Sequence, residues 1–240
     1  HTRIWIFMDI TLAFMPDAYS DEYHDLASAL TESGLAVEVL LLRSSESFGE
    51  SEQFRSANPT GLVPGIYVRT LRWDDERGSR YLAHYYAAVY STSSAIMIVG
   101  PGFQPDAETV LSMLELLRQD YDVVIASRHH KMSTINYPLM RWVISKSYNW
   151  ITSLLLGTHT TDATSGLKLY SKEILIGSVG SATTRELTFQ LEIIRRARRL
   201  GAEITEVPVI VEYQDSPYAV KASDITRTAV ETVKLWWRIR

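Results

Sequence analysis

Short runs of apolar residues alternate along the chain with segments in which apolar residues recur every three or four positions. The runs predict buried strands, and the recurrence predicts helices with one buried face. The predicted strands cover residues 4–8, 37–42, 65–71, 95–99 and 122–127. The helices predicted between them cover residues 20–33 and 78–90, and a third has its buried face at Val110, Leu114 and Leu117. Such alternation implies β-α-β crossovers and a mostly parallel central sheet covered by helices on both faces.

The second half of the chain has a less regular pattern. It predicts a long helix over 137–156, a short strand over 165–170, a helix over 187–200 and a strand from Glu203 that is broken at Pro208. A terminal helix is predicted over 223–238, with Ser223 as its N-cap. Residues 9–19 are interpreted as a polar connection, and residues 43–64 as a loop with one short helix around 51–56.

Composition narrows the class of protein. The chain has 240 residues, of which 46% are hydrophobic and 22% charged, and this predicts one soluble globular domain. A formal net charge of -4 gives no general attraction to nucleic acid, so we expect no nucleic-acid partner. The chain has no cysteine and no apolar run of the roughly 18–20 residues that cross a bilayer. We therefore expect a cytoplasmic protein that can associate peripherally with a membrane.

The predicted strand at 95–99 ends in Gly100-Pro101-Gly102, before the next helix begins. In an open α/β sheet the carboxyl end of a strand is where ligands usually bind. The three residue types by themselves predict a tight turn, because proline fixes φ and glycine permits a positive φ. The turn offers no side chain for chemistry.

Four blocks between Arg77 and Ser223 carry more specific information. They are RGSRYLAHYYAAVYSTSSAIMIV, PDAETVLSMLELLRQDYDVVIASR, TTDATSGLKLYSKEIL and LTFQLEIIRRARRLGAEITEVPVIVEYQDSPYAVKAS. In their order, spacing and residue types, the four blocks resemble the family-2 glycosyltransferases of the dolichol-phosphate mannose synthase type. Four blocks in sequence are much more specific than one short motif. Upstream of Arg77 only the order of strands and helices agrees.

The resemblance implies the Rossmann-like glycosyltransferase A fold. It implies one domain over 1–240, with a nucleotide-binding half over about 1–126 and an acceptor half over about 127–240. In this family a nucleotide-activated sugar is moved to a polyprenyl phosphate. The leaving diphosphate must be neutralised, and the family does so with a divalent metal held by an Asp-X-Asp at the end of the fourth strand.

This chain departs from the family at the implied metal and nucleotide positions. Gly100-Pro101-Gly102 occupies the Asp-X-Asp position, and Arg43 and Ser44 stand where the family has paired aspartates. The resemblance therefore implies that the ligands of the metal cofactor are missing. Losing even 4 to 6 kcal/mol of charge stabilisation would slow transfer on the order of 10³ to 10⁴-fold. We predict a degenerate glycosyltransferase, inactive or very slow, that binds a ligand or a partner.

The resemblance also assigns candidate site residues in the second half. Asp162 matches the family's Asp in its Asp-X-Thr-Gly-Ser block, although on residue types alone TTDATSG is only a turn. Lys168 takes the place of the following arginine, and Arg128 matches an arginine that holds phosphate. Gln190 matches a Phe-Gln pair. Lys221 lies where the family has a mobile loop that closes over the donor.

Two alternatives to the hypothesis of a degenerate glycosyltransferase stay open. One is an active, metal-independent glycosyltransferase in which Arg43, Arg128 and Lys221 neutralise the diphosphate. The other is a module that binds lipid phosphate or a protein and takes no nucleotide. Candidate partners are a nucleotide-sugar, a polyprenyl phosphate, an active relative or a membrane surface. Trp236 and Trp237, among basic residues of the terminal helix, suit either a membrane interface or packing against the domain.

Two other groups of residues contain side-chain types that can bind metal ions. His129, His130 and His159 could join Asp162, but adjacent histidines on an extended segment point to opposite sides, so we interpret them as surface residues. The acidic cluster at 74–76 precedes a predicted helix, where the helix dipole alone favours acidic residues. Neither group predicts a metal.

Overall fold

The computed structural model describes residues 8–15, 23–44, 66–73, 79–136, 138–185, 188–211 and 222–239. The strands are β1 Ile10–Phe14, β2 Val37–Ser44, β3 Ile66–Trp73, β4 Ala95–Val99, β5 Val123–Ser127, β6 Thr134–Ile135, β7 Leu167–Ser171, β8 Ile204–Pro208 and β9 Ile210–Val211. The helices are α1 Tyr23–Glu32, α2 Ser79–Tyr90, α3 Ala107–Arg118, α4 Leu139–Leu156, α5 Lys172–Gly180, α6 Phe189–Arg199 and α7 Ala222–Ile239.

The central sheet has the strand order β3-β2-β1-β4-β7-β5-β8, and β6 pairs with β9 in a separate two-stranded sheet. Within the large sheet β7 runs antiparallel to β4 and β5, and the other neighbouring pairs are parallel. The mostly parallel sheet predicted from the sequence is confirmed. After β1 the chain moves outward to β2 and β3 and then returns to β4, so the direction of winding reverses between β1 and β4. Ligands bind at such switch points, outside the carboxyl ends of the strands.

The core lies on both faces of this sheet. Alternate residues of β4 serve the two faces: Met97 and Val99 pack in one hydrophobic cluster with α1 and α3, and Ile96 and Ile98 pack in the other with α2, α5 and α6. Every residue of β4 is buried. Burial on both faces explains why β4 and β5 are continuous apolar runs.

The amino-terminal side of the sheet is held by a buried carboxylate. Glu38 of β2 accepts hydrogen bonds from Thr11 Oγ1 at 2.7 Å and from the backbone N–H of Thr92 at 2.8 Å. Arg69 of β3 donates to its other oxygen. The network ties β1, β2, β3 and the segment before β4 together on the side of the sheet opposite the strands' carboxyl ends.

The first strand differs from the sequence prediction. Residues 9–15 are not a polar connection, because Ile10–Phe14 is a fully buried strand. Thr11 is tolerated there because its hydroxyl bonds Glu38 and also lies 2.5 Å from Ser93 Oγ. Residues 4–7 of the predicted strand lie outside the described residues.

Two further details of the prediction change. The terminal helix α7 begins at Ala222, one residue before the predicted N-cap Ser223. Helix α5 was not predicted, since it follows β7 directly and its apolar residues do not form a one-sided stripe. The predicted loop over 45–64, with its short helix, lies outside the described residues.

Candidate functional site

The segment from residue 158 to residue 166, which joins α4 to β7, is the centre of the candidate site. We call it the 158–166 loop. The backbone N–H of Gly100, just after β4, donates to Gly166 O at 2.9 Å. Ser165 Oγ donates to Ala126 O, in β5, at 2.7 Å. Both β4 and β5 are antiparallel to β7, so their carboxyl ends meet at the edge of the sheet where this loop lies.

Asp162 of this loop forms a largely buried ion pair with Arg128, the residue directly after β5. Asp162 is fully buried, and its Oδ2 accepts from the backbone N–H of Arg128 at 3.0 Å and from Arg128 Nε at 2.7 Å. Its Oδ1 accepts from Arg128 Nη2 at 2.8 Å and from Thr164 Oγ1 at 3.1 Å. The Arg128 side chain keeps 16% of its surface exposed. The structure therefore brings together two residues that the sequence predicted separately.

The charge of Asp162 is stabilised by its partner. Burial by itself would raise the pKa of this carboxyl, but the Arg128 guanidinium and the hydrogen bonds from Arg128 outweigh burial and hold the pKa below its usual value. Asp162 is therefore ionised at neutral pH. A planar guanidinium held in this way presents a fixed set of donors, which suits recognition of phosphate.

Glu206 of β8 positions the loop, and sequence reasoning missed it. It accepts from the backbone N–H groups of Thr161, at 2.9 Å, and Asp162, at 3.1 Å, and from Thr161 Oγ1 at 2.9 Å. Asn149 of α4 supports the same loop through Thr164 Oγ1, at 3.3 Å. A single charged residue in an edge strand has no sequence pattern that distinguishes it from a solvated one.

Lys168 and Gln190 also meet. Lys168 is 1% exposed, and its Nζ donates to Gln190 Oε1 at 2.5 Å and to Ser165 O. Burial lowers the pKa of Lys168 to about 7, with Asp162 opposing the shift and Arg128 adding to it. These two acceptors, Gln190 Oε1 and Ser165 O, match the two N–H donors that the neutral amine of Lys168 has. Both residues lie beneath the 158–166 loop, so they support it from the core.

This geometry makes stability depend on pH. Between pH 7 and 10.5, the folded and ordinary pKa values of Lys168, the unfolded chain binds a proton that the folded chain lacks. The free energy of unfolding should therefore rise with pH there, by up to about 1.4 kcal/mol per pH unit. Urea unfolding at several pH values, compared with Lys168→Met, isolates the contribution, because the subtraction removes titrations that the two proteins share. Parallel pH profiles would contradict a neutral buried lysine.

The turn at Gly100-Pro101-Gly102 is confirmed, and the structure favours glycine at two of its positions. A Cβ at position 100 would lie 3.0 Å from Gly166 O and 3.1 Å from Gly166 Cα, both backbone atoms. Gly102 has a φ of +79°, which side chains rarely adopt. Position 100 is therefore closed to any side chain, carboxylates included, unless the two backbones separate.

A cavity of about 380 Å³ lies beside the switch point, between α1 and the segment that joins β4 to α3. Its charged lining residues are Asp25 and Asp106, and the rest are Phe14, Leu26, Ala29, Phe103, Gln104, Pro105 and Ala107. Asp106 is already engaged as the N-cap of α3, accepting from the backbone N–H of Thr109 at 2.7 Å. Acidic walls disfavour a bare diphosphate in this cavity.

The remaining candidate residues do not join the loop. Arg43 is half-buried near the end of β2, two strands away from β4. Lys221 and the acidic cluster at 74–76 lie outside the described residues. Of the three histidines interpreted as surface residues, His159 is exposed and His129 and His130 are partly exposed. His129 Nε2 lies 3.0 Å from Ser145 Oγ, and burial lowers the pKa of His129. Over the described ranges, no three His, Cys, Asp or Glu side chains are grouped to hold a metal ion.

Among the helices that the structure describes, none combines the length and the apolar character needed to traverse a bilayer.

Comparison of the amino-acid sequence with those of known proteins identifies relatives of this chain. No protein-family model matches the chain. It is 28% identical over 176 residues to an undecaprenyl-phosphate mannosyltransferase of Micrococcus luteus, covering 72% of this chain and 65% of that protein. It is 25% identical over 161 residues to a polyprenol monophosphomannose synthase of Mycolicibacterium smegmatis, covering 66% of this chain and 61% of that protein. The chain thus spans less than two thirds of the length of either relative.

Solved structures agree on the fold. Glucosyl-3-phosphoglycerate synthase from Mycobacterium tuberculosis, solved with Mn²⁺, UDP-glucose and phosphoglyceric acid, superposes with a TM-score of 0.62. The match covers 95% of this chain and 79% of that chain, at 13% sequence identity. At this identity the likeness shows the fold alone. The α/β fold expected from the resemblance, that of the glycosyltransferase A enzymes, is confirmed.

Proposed function

We propose that this chain, which is similar in sequence to polyprenyl-phosphate mannosyltransferases, is a degenerate glycosyltransferase that binds a lipid phosphate and transfers sugar very slowly or not at all. The proposal has two parts. The donor side has lost the means to stabilise a leaving diphosphate, and the acceptor side has kept a phosphate-binding arginine.

The donor part is supported above all by the packing at Gly100. If this position corresponds to the first carboxylate of the metal motif, the motif is missing, and a side chain placed here would press against the backbone of Gly166. The nearby cavity has Asp25 and Asp106 as its charged lining residues. Without a cation, a diphosphate leaving group would meet no compensating charge from the lining residues that the structure describes, and that compensation is usually the largest catalytic contribution.

The acceptor part is supported by the Arg128–Asp162 pair. Asp162 holds the guanidinium through two side-chain bonds, and the 158–166 loop is in turn held by Glu206 and by Lys168 below it. Such preorganisation lowers the entropic cost of binding an anion. Arg128 keeps part of its surface exposed, as a phosphate ligand requires.

Ligand titration tests the proposal. Calorimetry and thermal shift would compare UDP, GDP, their sugar conjugates and a short polyprenyl phosphate, each with Mg²⁺, with Mn²⁺ and with EDTA. We expect polyprenyl phosphate to bind equally well in EDTA and about tenfold more weakly to Arg128→Lys, which keeps the charge but loses the planar fork. The exposed Arg118→Lys on α3 serves as the matched control.

The alternatives appear as distinct outcomes of the same titration. Turnover of a sugar nucleotide that stops in EDTA would contradict degeneration and would mean that metal ligands lie elsewhere. Metal-independent turnover that Arg43→Ala abolishes would instead establish the active enzyme that uses basic side chains. Failure of polyprenyl phosphate to bind would remove the acceptor part of the proposal.

A further inference from the structure

Helix α6 packs against the turn that follows α4, where the 158–166 loop begins. Gly157 ends α4 in a left-handed conformation, with a φ of +61°, and His159 has a φ of +50°. Arg198 of α6 donates from Nε to Thr158 O at 2.9 Å and from Nη2 to His159 O at 3.5 Å. The guanidinium of Arg198 is therefore held in place by the carbonyl groups of this turn.

Arg195, almost one helical turn earlier on α6, lies against the same turn of the chain. A Cβ at position 157 would lie 3.0 Å from Arg195 Nη1 and 3.8 Å from His159 Nε2. The guanidinium and the imidazole therefore meet in the space that the absent side chain of Gly157 leaves open. We call the surface formed by Gly157, His159 and Arg195 the Gly157 notch. Arg195 Nε is buried there and has no hydrogen-bond partner among the described residues.

Two buried hydroxyl groups of the turn are also unsatisfied. Thr158 is fully buried and Thr160 is 7% exposed, and within the described part of the chain neither Oγ1 has a hydrogen-bond partner. Native proteins leave few buried polar atoms unpaired, and each such atom calls for a bound water, ion or ligand. The turn and the helix packed on it thus contain three polar atoms whose partners the described protein chain does not supply.

Charge identifies the ligand as an anion. No acidic residue occurs within 157–161 or within 193–202. The carboxylate of Asp162 is bound by Arg128, and both oxygens of Glu206 accept from backbone and hydroxyl groups of the loop. The carbonyl end of α4 favours a nearby cation but supplies no hydrogen bond to Arg195 Nε.

We propose that the Gly157 notch binds a phosphate-type oxyanion through the guanidinium of Arg195 and the imidazole of His159. The planar donors of arginine fit phosphate oxygens, and His159 is exposed, so an anion can reach the notch from solvent. Arg198 adds positive charge while it keeps its own bonds to the turn. The inference goes beyond the proposed function, which assigns the lipid phosphate to Arg128 and uses no residue of the notch. An anion bound here would join α6 to the end of α4.

A nuclear magnetic resonance titration of the whole chain tests this inference. The probes are inorganic phosphate and methyl phosphate, each at an ionic strength kept constant with sodium chloride. We expect saturable shifts of the Arg195 Nε–H resonance and of the backbone N–H resonances of 158–160. Arg195→Gln should weaken binding about tenfold or more, because it removes charged donors. Equal binding of both probes identifies a site for phosphate esters, and preference for inorganic phosphate identifies a site for the free ion.

Matched variants separate the notch from other basic groups. His159→Asn should also weaken binding, and asparagine tolerates the left-handed backbone at this position. Arg118→Gln, which removes the same charge from an exposed position on α3, should bind normally. Urea unfolding checks that each variant is folded. If Arg195→Gln does not fold, Arg195→Lys replaces it and should still bind more weakly, because lysine lacks the planar fork.

The inference is overturned if the resonances of 158–160 and Arg195 do not respond to phosphate, or if Arg195→Gln binds as tightly as the wild type. It is also overturned if the only phosphate response is one that Arg128→Lys removes. That last result would leave the proposed function intact. Conversely, loss of polyprenyl phosphate binding with a normal response at the notch would affect the proposed function alone.

Discussion

Asp162→Asn is expected to lower the free energy of unfolding by about 3–5 kcal/mol, because it leaves the guanidinium of Arg128 largely buried without its counter-charge. The side chain of Asp162 is wholly inaccessible, and that of Arg128 is only 16% exposed. The substitution preserves shape, so the loss comes from the charge and its hydrogen bonds. Urea unfolding at neutral pH measures it.

The pH dependence and a double variant distinguish the loss of the ion pair from an unspecific loss of folding stability. The folded pKa of Asp162 lies below the ordinary value, so its contribution is present above that ordinary value and is lost as pH falls through the folded pKa. The wild-type advantage over Asp162→Asn should therefore shrink in acid. Adding Arg128→Met should restore part of the stability, because no buried charge then lacks a partner. A uniform loss at every pH, with no rescue, would count against the ion pair.

Gly100→Ala is expected to destabilise the protein by about 2–3 kcal/mol, the cost of forcing an atom into a closed contact. The new methyl group would meet the backbone of Gly166 at 3.0 Å, where no flexible side chain can yield. Separating the two backbones would also strain the 2.9 Å hydrogen bond from Gly100 N to Gly166 O. Thermal unfolding, read as a shift in Tm, measures the loss.

Gly180→Ala is the matched control for that substitution. Position 180 ends α5, and a Cβ there meets nothing within 4 Å. Alanine should be neutral or slightly stabilising there, because it restricts the unfolded chain. If Gly100→Ala is as harmless as Gly180→Ala, the two backbones can separate. An aspartate could then be accommodated at position 100, which would weaken the main support for a degenerate donor site.

The strands and helices that the sequence predicted well are those with buried faces. Strand β4 was predicted with its exact bounds, because an apolar run between polar turns has few other interpretations. The position of β1 was missed, since the stretch Ile4 to Met8 is more apolar than Ile10–Phe14. Only the tertiary bonds of Thr11 to Glu38 and Ser93 show why a hydroxyl is acceptable in the shorter strand.

The candidate site was predicted in its residues but not in its arrangement. The resemblance to the family identified four candidate residues: Arg128, Asp162, Lys168 and Gln190. Nothing in the sequence indicated that they form two hydrogen-bonded pairs around one loop. Glu206 was missed because its role depends on which backbone groups lie beside an edge strand. Such contacts join residues far apart in the chain, and a single sequence does not encode them in any local pattern.

The antiparallel strand β7 makes the two sequence halves inseparable. It comes from the second half of the chain, yet it lies between β4 and β5, which precede it by about 40 residues or more. Without the later strands β7 and β8, β5 would have no strand to pair with, and the apolar edge of β4 would be open to pairing with other chains. During synthesis, β4 and β5 therefore each keep an unpaired edge until β7 has emerged from the ribosome. A lineage that abandons catalysis therefore cannot discard either half, and preservation of the whole scaffold is no sign that its original reaction persists.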